Sequence, residues 1–133
     1  MKYLLDTHCF LWWFTEPERL SVKASEVIGN RENQVYLSAA SSWEISIKYK
    51  LGKLPLPMSP SEYVISRMNA CGFSHLSINH QHALLAGSLP LHHHDPFDRM
   101  LIAQAIFEEM TLITVDNKIQ LYDVDILAAH DVM

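Results

Sequence analysis

The chain has 133 residues, 49% apolar and 19% charged, with 10 Lys and Arg against 15 Asp and Glu and a formal charge of −5. Residues 1–133 are expected to form one domain with a proper core, and the apolar content excludes disorder. The acidic balance excludes a broadly basic nucleic-acid-binding surface, although cations bound at an acidic site would change the local balance. Residues 2–6 read as a short buried strand closing on Asp6. Residues 7–15 read as a helix packed with Phe10, Leu11, Trp12, Trp13 and Phe14, and Pro17 breaks it. Ser21 is a fair N-cap for a helix over 22–28, stopped by Gly29-Asn30. Residues 34–38 form a second strand, and Ser41 or Ser42 can cap a helix through Leu51, ended by Gly52.

Residues 53–60 hold three prolines and form a loop rather than a linker, since neither flank reads as a separate core. A helix over 61–70 carries Tyr63, Val64, Arg67 and Met68 at helical spacing, and Gly72 turns the chain into a third strand over 73–78. Asn79 caps a helix over 80–88. Residues 89–96 are irregular and carry His92, His93 and His94; Pro96 then sits just before or inside the first turn of a helix running to Glu109. Strands are expected over 112–115 and 124–127. Helices alternating with short apolar strands argue a parallel sheet covered on both faces, an α/β fold.

Cys9 and Cys71 lie far apart without metal-ligand spacing and read as buried thiols in a reducing compartment. No apolar run reaches membrane-spanning length, and Asp6 and His8 interrupt the stretch after Lys2. Neither a membrane span nor a signal peptide is expected, and the location read is cytoplasmic.

Asp6 ends the run Tyr3-Leu4-Leu5, and Asp116 follows Leu112-Ile113-Thr114-Val115. Glu44 lies in one helical stretch and Asp98 opens another. Chemistry in an open parallel sheet gathers at the carboxyl ends of its strands, so these acids can converge on one crevice. Such a cluster repels itself unless cations fill it and therefore predicts bound metal. Each acid alone has a plainer reading: Asp6 and Asp116 as turn or helix caps, Glu44 and Asp98 as solvated helix charges.

The stretches Leu4-Leu5-Asp6-Thr7-His8, Ser38-Ala39-Ala40-Ser41-Ser42-Trp43-Glu44-Ile45, residues 48–54, His94-Asp95-Pro96-Phe97-Asp98-Arg99, Leu101-Ile102-Ala103-Gln104-Ala105 and Thr114-Val115-Asp116 decide between the readings. Together they resemble the PIN-domain ribonucleases, and closely the toxins of VapC-type toxin–antitoxin pairs. The resemblance implies a three-layer α/β/α PIN-like fold with a central parallel sheet of four to five strands. It implies an endoribonuclease dependent on Mg2+ or Mn2+ that leaves a 5′-phosphate without attack by the 2′-OH. It places the acidic site on Asp6, Glu44, Asp98 and Asp116, with Thr7 and Thr114 as hydroxyls beside it. Asp6 and Asp98 are the first-choice metal ligands and Asp116 holds a second or shared ion. Glu44 reaches metal through water or orients the attacking water. Asp95 departs from the pattern; by spacing along the helix Asp98 takes the central position, and Asp95 stays an alternative or auxiliary group.

Lys48, at i+4 from Glu44, is expected to pair with it, and Lys50, Lys53 and Arg99 to meet phosphate. Consecutive side chains point apart, so His92 to His94 read as a solvated loop shaping the RNA cleft rather than a transition-metal site. One of Trp12 and Trp13 is expected to face outward on a partner or dimer surface. The implied partners are RNA, a second copy in a homodimer and a cognate antitoxin. The antitoxin's amphipathic segment would lie along residues 10–14 and the helices after Ser21 and Ser41. The alternatives are a metal-dependent phosphohydrolase, against which His8 stands where a second Asp belongs, and an inactive PIN-like binding module.

Overall fold

The computed structural model describes residues 1–130. The apolar runs form strands β1 (Lys2–Leu5), β2 (Gln34–Ser38), β3 (Ser74–Leu76), β4 (Thr111–Thr114) and β5 (Ile126–Ala128). They pair all-parallel in the order β3-β2-β1-β4-β5. Helices α1 (Thr7–Thr15), α2 (Val22–Gly29), α3 (Ala39–Lys50), α4 (Pro60–Cys71), α5 (His80–Ser88) and α6 (Pro96–Phe107) connect them.

Strand side chains alternate between two cores. Tyr3, Leu5, Val35, Leu37 and Ile113 join Phe10 of α1, Val27 of α2 and Met68 of α4 on one face. Leu4 and Leu112 meet Leu101, Ile102 and Ala105 of α6 on the other. Burial on both faces is why the strands read as near-continuous apolar runs. This is the expected three-layer α/β/α arrangement.

From β1 the chain steps outward to β2 and β3, then returns across β1 to β4 and β5. The winding reverses between β1 and β4, and such a reversal opens a crevice beyond the carboxyl ends of the two strands. Asp6 follows β1 and Asp116 lies two residues beyond β4. The strands are tied there, the Asp6 N–H donating to the Ile113 carbonyl at 3.0 Å.

Several boundaries differ from expectation. Asp6 is not the last strand residue but the N-cap of α1. Ser38, rather than Ser41 or Ser42, caps α3, accepting the Ala40 N–H at 3.0 Å. A cap needs non-helical backbone, and only Ser38 leaves the strand extended; Ser41 is buried within the helix. Pro60, expected in the loop, is the first residue of α4 behind a Ser59 cap. Gly72 closes α4 at φ 69, a left-handed turn that glycine adopts without steric cost. β3 is shorter than the expected 73–78, because it pairs with β2 only over Tyr36, Leu37 and Ser38. β5 is shifted from 124–127, and α6 stops at Phe107, before Glu109 takes φ 56 at the turn into β4.

Candidate active site

In a parallel α/β sheet, a helix that follows a strand starts at the carboxyl edge, and a helix that precedes one returns from it. The N-termini of α1, α3 and α6 therefore gather at the crevice, where their partial positive charge favours anions. Asp6 is 3% exposed; its Oδ1 accepts the Cys9 N–H at 2.7 Å and its Oδ2 the Val115 N–H at 3.1 Å. The second bond fastens the acid after β1 to the segment carrying Asp116. Glu44 is buried on α3, its Oε1 accepting from the Thr7 hydroxyl at 2.7 Å and its Oε2 paired with Lys48 Nζ at 2.9 Å. Thr7 Oγ1 also lies 3.0 Å from Ser41 Oγ, so one hydroxyl joins the start of α1 to the inner face of α3.

Thr114 is buried at the end of β4 and accepts the Asp116 N–H at 3.0 Å. Asp116 Oδ1 accepts the Lys118 N–H at 2.8 Å. Asp95 caps α6, accepting the Phe97 and Asp98 N–H groups at 2.8 and 3.2 Å. Asp98 thus stands in the first turn, on the helix end that faces the sheet edge.

The histidine run differs from its sequence reading. His93 is 8% exposed, not solvated. Its Nε2 lies 2.7 Å from Asp116 Oδ2 and 3.1 Å from Asp98 Oδ2, joining the two acids. His92 and His94 are the exposed members of the run. The available signal was position: His93 stands two residues before the cap of the helix whose first turn holds a key acid. Arg99, expected to meet phosphate, is engaged by backbone carbonyls. Its Nη1 donates to the carbonyls of Pro90 and His93 and its Nη2 to those of Ala86 and Leu89, at 2.8 to 3.2 Å. These bonds strap the end of α5 and the loop after it to α6, so the guanidinium has a structural task within the fold. Lys50 is exposed at the last residue of α3, and Lys53 lines a cleft between α1 and α3 with Lys48 and Thr7.

The electrostatics express the crowding. Burial, then the charges of Asp95, Asp6 and Glu44, push Asp98 up to about 7, with His93 opposing them. Burial also works against the charge of Asp116. There the hydrogen bonds from His93 and the Lys118 N–H, with the Lys118 ammonium, win and hold the carboxyl below its ordinary range. Burial beside Asp6 raises the Cys9 thiol far above its usual value, so Cys9 is an inert core residue.

The family model of the PIN domain matches residues 3–126. The chain belongs to the PIN-domain family. This PIN domain is 29% identical to ribonuclease VapC22 of Mycobacterium tuberculosis over 120 residues, covering 88% of each chain. It is 50% identical over 56 residues to ribonuclease VapC16 of the same organism, a match spanning 42% of this chain and 40% of that protein. Its fold is similar to VapBC2 from Rickettsia felis bound to a promoter DNA fragment, with a TM-score of 0.71 at 14% identity over 96% of this chain and 98% of that one. It is similar as well to a toxin–antitoxin complex from Klebsiella pneumoniae, with a TM-score of 0.67 at 17% identity over 98% and 99% of the chains.

Proposed function

We propose that this PIN domain is a metal-dependent endoribonuclease and the toxin of a toxin–antitoxin pair. The observation that carries the reading is the gathering of Asp6, Glu44, Asp98 and Asp116 at the β1/β4 reversal of a PIN fold. Relatives named ribonucleases and neighbours solved as toxin–antitoxin complexes support it. The donor set fits Mg2+ or Mn2+, which take oxygen ligands. Asp6, Asp98 and Asp116 would hold the ion, since a carboxylate retains lone pairs beyond the hydrogen bonds it accepts here. Bound there, a divalent cation supplies positive charge to the phosphoryl group and makes water a better nucleophile.

Glu44, fixed at both oxygens by Thr7 and Lys48, is placed to accept from the attacking water and aim it. Trp43 is 63% exposed, and its ring lies 5.3 Å from that of Phe97 in an edge-on pair. These two are the chain neighbours of Glu44 and Asp98. An unstacked base resting on Trp43 would bring its phosphate to the acids, the usual manner of single-stranded RNA recognition. The α1/α3 cleft, lined by Leu11, Trp12, Ile45 and Leu54 and reaching Thr7, suits an amphipathic antitoxin helix. A basic side chain at the end of that helix would compete with metal for the acids.

The purified protein is expected to cleave a mixed RNA pool with Mg2+ or Mn2+ and to stop with EDTA. Turnover of phosphomonoesters without RNA cleavage would favour a phosphohydrolase, and activity on neither a binding module. Where a small reading frame adjoins the gene, co-expression with it is expected to recover a partner and relieve toxicity. A harmless chain that recovers none would sink the toxin assignment.

A further inference from the structure

His93, Asp98 and Asp116 bring one nitrogen and two carboxylate oxygens within 4.8 Å of one another, which invites a three-ligand metal site. The hydrogen bonds around the ring argue against it. The Asp95 N–H donates to His93 Nδ1 at 3.1 Å, so Nδ1 carries the lone pair and the ring proton is on Nε2. That proton points at Asp116 Oδ2, 2.7 Å away, while Asp98 Oδ2 lies 3.1 Å from the same nitrogen. An imidazole that ligates through Nε2 needs the opposite arrangement, with Nδ1–H donating to an acceptor. Turning the ring over would set carbon against both the Asp95 N–H and the carboxylates.

We infer that His93 is a positioning residue: it donates from Nε2 to Asp116 with Asp98 seated against the same ring edge, and holds the two acids side by side toward the metal without binding the metal itself. The inference rests on the metal-site reading above. The ring is held from several sides. The His93 N–H donates to the Tyr122 hydroxyl at 2.8 Å, and that hydroxyl donates to the Pro90 carbonyl at 2.7 Å. Arg99 holds the His93 carbonyl at 3.2 Å, those of Leu89 and Pro90 in the same stretch, and that of Ala86 in α5. Asp95 both caps α6 and sets the ring's tautomer, so the segment before Asp98 and the first turn carrying it are built as one unit. Asp116 accepts the Nε2–H and Asp98 lies 3.1 Å from the same nitrogen, so a fixed ring keeps the two carboxylates adjacent, which is what a common ion requires.

The test uses the full chain and Mn2+ alone, titrated by calorimetry, with circular dichroism to check folding. His93→Ala is expected to weaken Mn2+ binding by about 10–100-fold, as loss of a hydrogen bond to a metal ligand does elsewhere. His93→Gln, whose amide N–H reaches roughly where Nε2–H stood, is expected to recover most of that loss. Independently of any variant, 15N NMR of the wild-type ring is expected to report the Nε2–H tautomer both without metal and with saturating Mg2+. A switch to Nδ1–H on adding Mg2+, or a Gln variant as weak as Ala, would make His93 a ligand and overturn the inference. Unchanged Mn2+ binding in His93→Ala overturns it too. A wild-type chain that binds no Mn2+ removes the metal site itself, and this role with it.

Discussion

Asp95 and Asp98 stand three residues apart on one helix end, yet the structure gives them different work. Asp95 accepts the first free N–H groups of α6, whereas Asp98 faces Asp116 across His93. Asp98→Asn, nearly isosteric, is expected to abolish metal-dependent RNA cleavage with the fold intact. Asp95→Asn keeps a capping oxygen and is expected to retain cleavage, while Asp95→Ala costs about 0.5–2 kcal/mol of stability. Urea melts beside cleavage assays decide it; a dead Asp95→Asn with an active Asp98→Asn would reverse the assignment. The crowding at Asp98 also predicts a pH dependence. Without metal, the folded chain holds the Asp98 proton up to about pH 7, whereas the unfolded chain releases it near the ordinary 3.8. The folded state binds the extra proton between these values, so this contribution is full at low pH and is lost as pH rises through about 7. Asp116, shifted the other way, contributes in full above its ordinary value and loses that contribution only at lower pH, so it adds no slope between pH 5 and pH 8. In chelator, stability is expected to fall from pH 5 to pH 8, and to fall less in Asp98→Asn. Equal slopes in the two proteins would refute the shift.

The site's helices and strands were legible in the sequence because their signals are local. Ser21 before residues 22–28 and Asn79 before its helix are read from their immediate neighbours, and each proves to be a cap. The segment over 89–95 was not legible. Its shape is set by Arg99 and by Tyr122, about thirty residues away, and no periodicity announces such a tie. The burial of His93 follows from that tie rather than from its own neighbours. Tyr122→Phe is therefore expected to keep the buried ring but orphan the His93 N–H. That costs on the order of 1–3 kcal/mol in urea unfolding and weakens Mn2+ binding with it. A variant as stable as wild type would mean that the segment is held by Arg99 alone. Trp43 makes a further prediction at this scale. Trp43→Ala removes an exposed face, so it is expected to raise KM for RNA more than it lowers kcat, with Mn2+ affinity unchanged. Base–aromatic stacking is worth about 1–3 kcal/mol, hence roughly a tenfold change. A kcat loss with KM unchanged would move Trp43 from substrate binding to support of Glu44.

On the scale of the whole molecule, a chain of net charge −5 concentrates acids at one edge of its sheet. Two apolar layers hold those acids together, with Leu4, Leu5, Leu112 and Ile113 wholly buried beneath them. The fold thus maintains an arrangement that the acids by themselves oppose. A cation that binds only the assembled cluster must then stabilise the fold, by RT ln(1 + [L]/Kd), or about 2.7 kcal/mol at a hundredfold excess over Kd. For a chain of this length that corresponds to a rise in Tm on the order of 10 °C. Thermal unfolding at pH 8 with Mn2+ is expected to show the rise and Asp98→Asn to lose most of it. Simple repulsion makes a different prediction. Monovalent salt screens exposed charges but does not coordinate carboxylates, so sodium chloride at matched ionic strength is expected to give only a small part of the shift. If it gives all of it, the acids are a strained patch and no metal centre is needed to explain their convergence. If Mn2+ alone raises Tm, and does so through Asp98, the reversal between β1 and β4 is where this fold binds its ion.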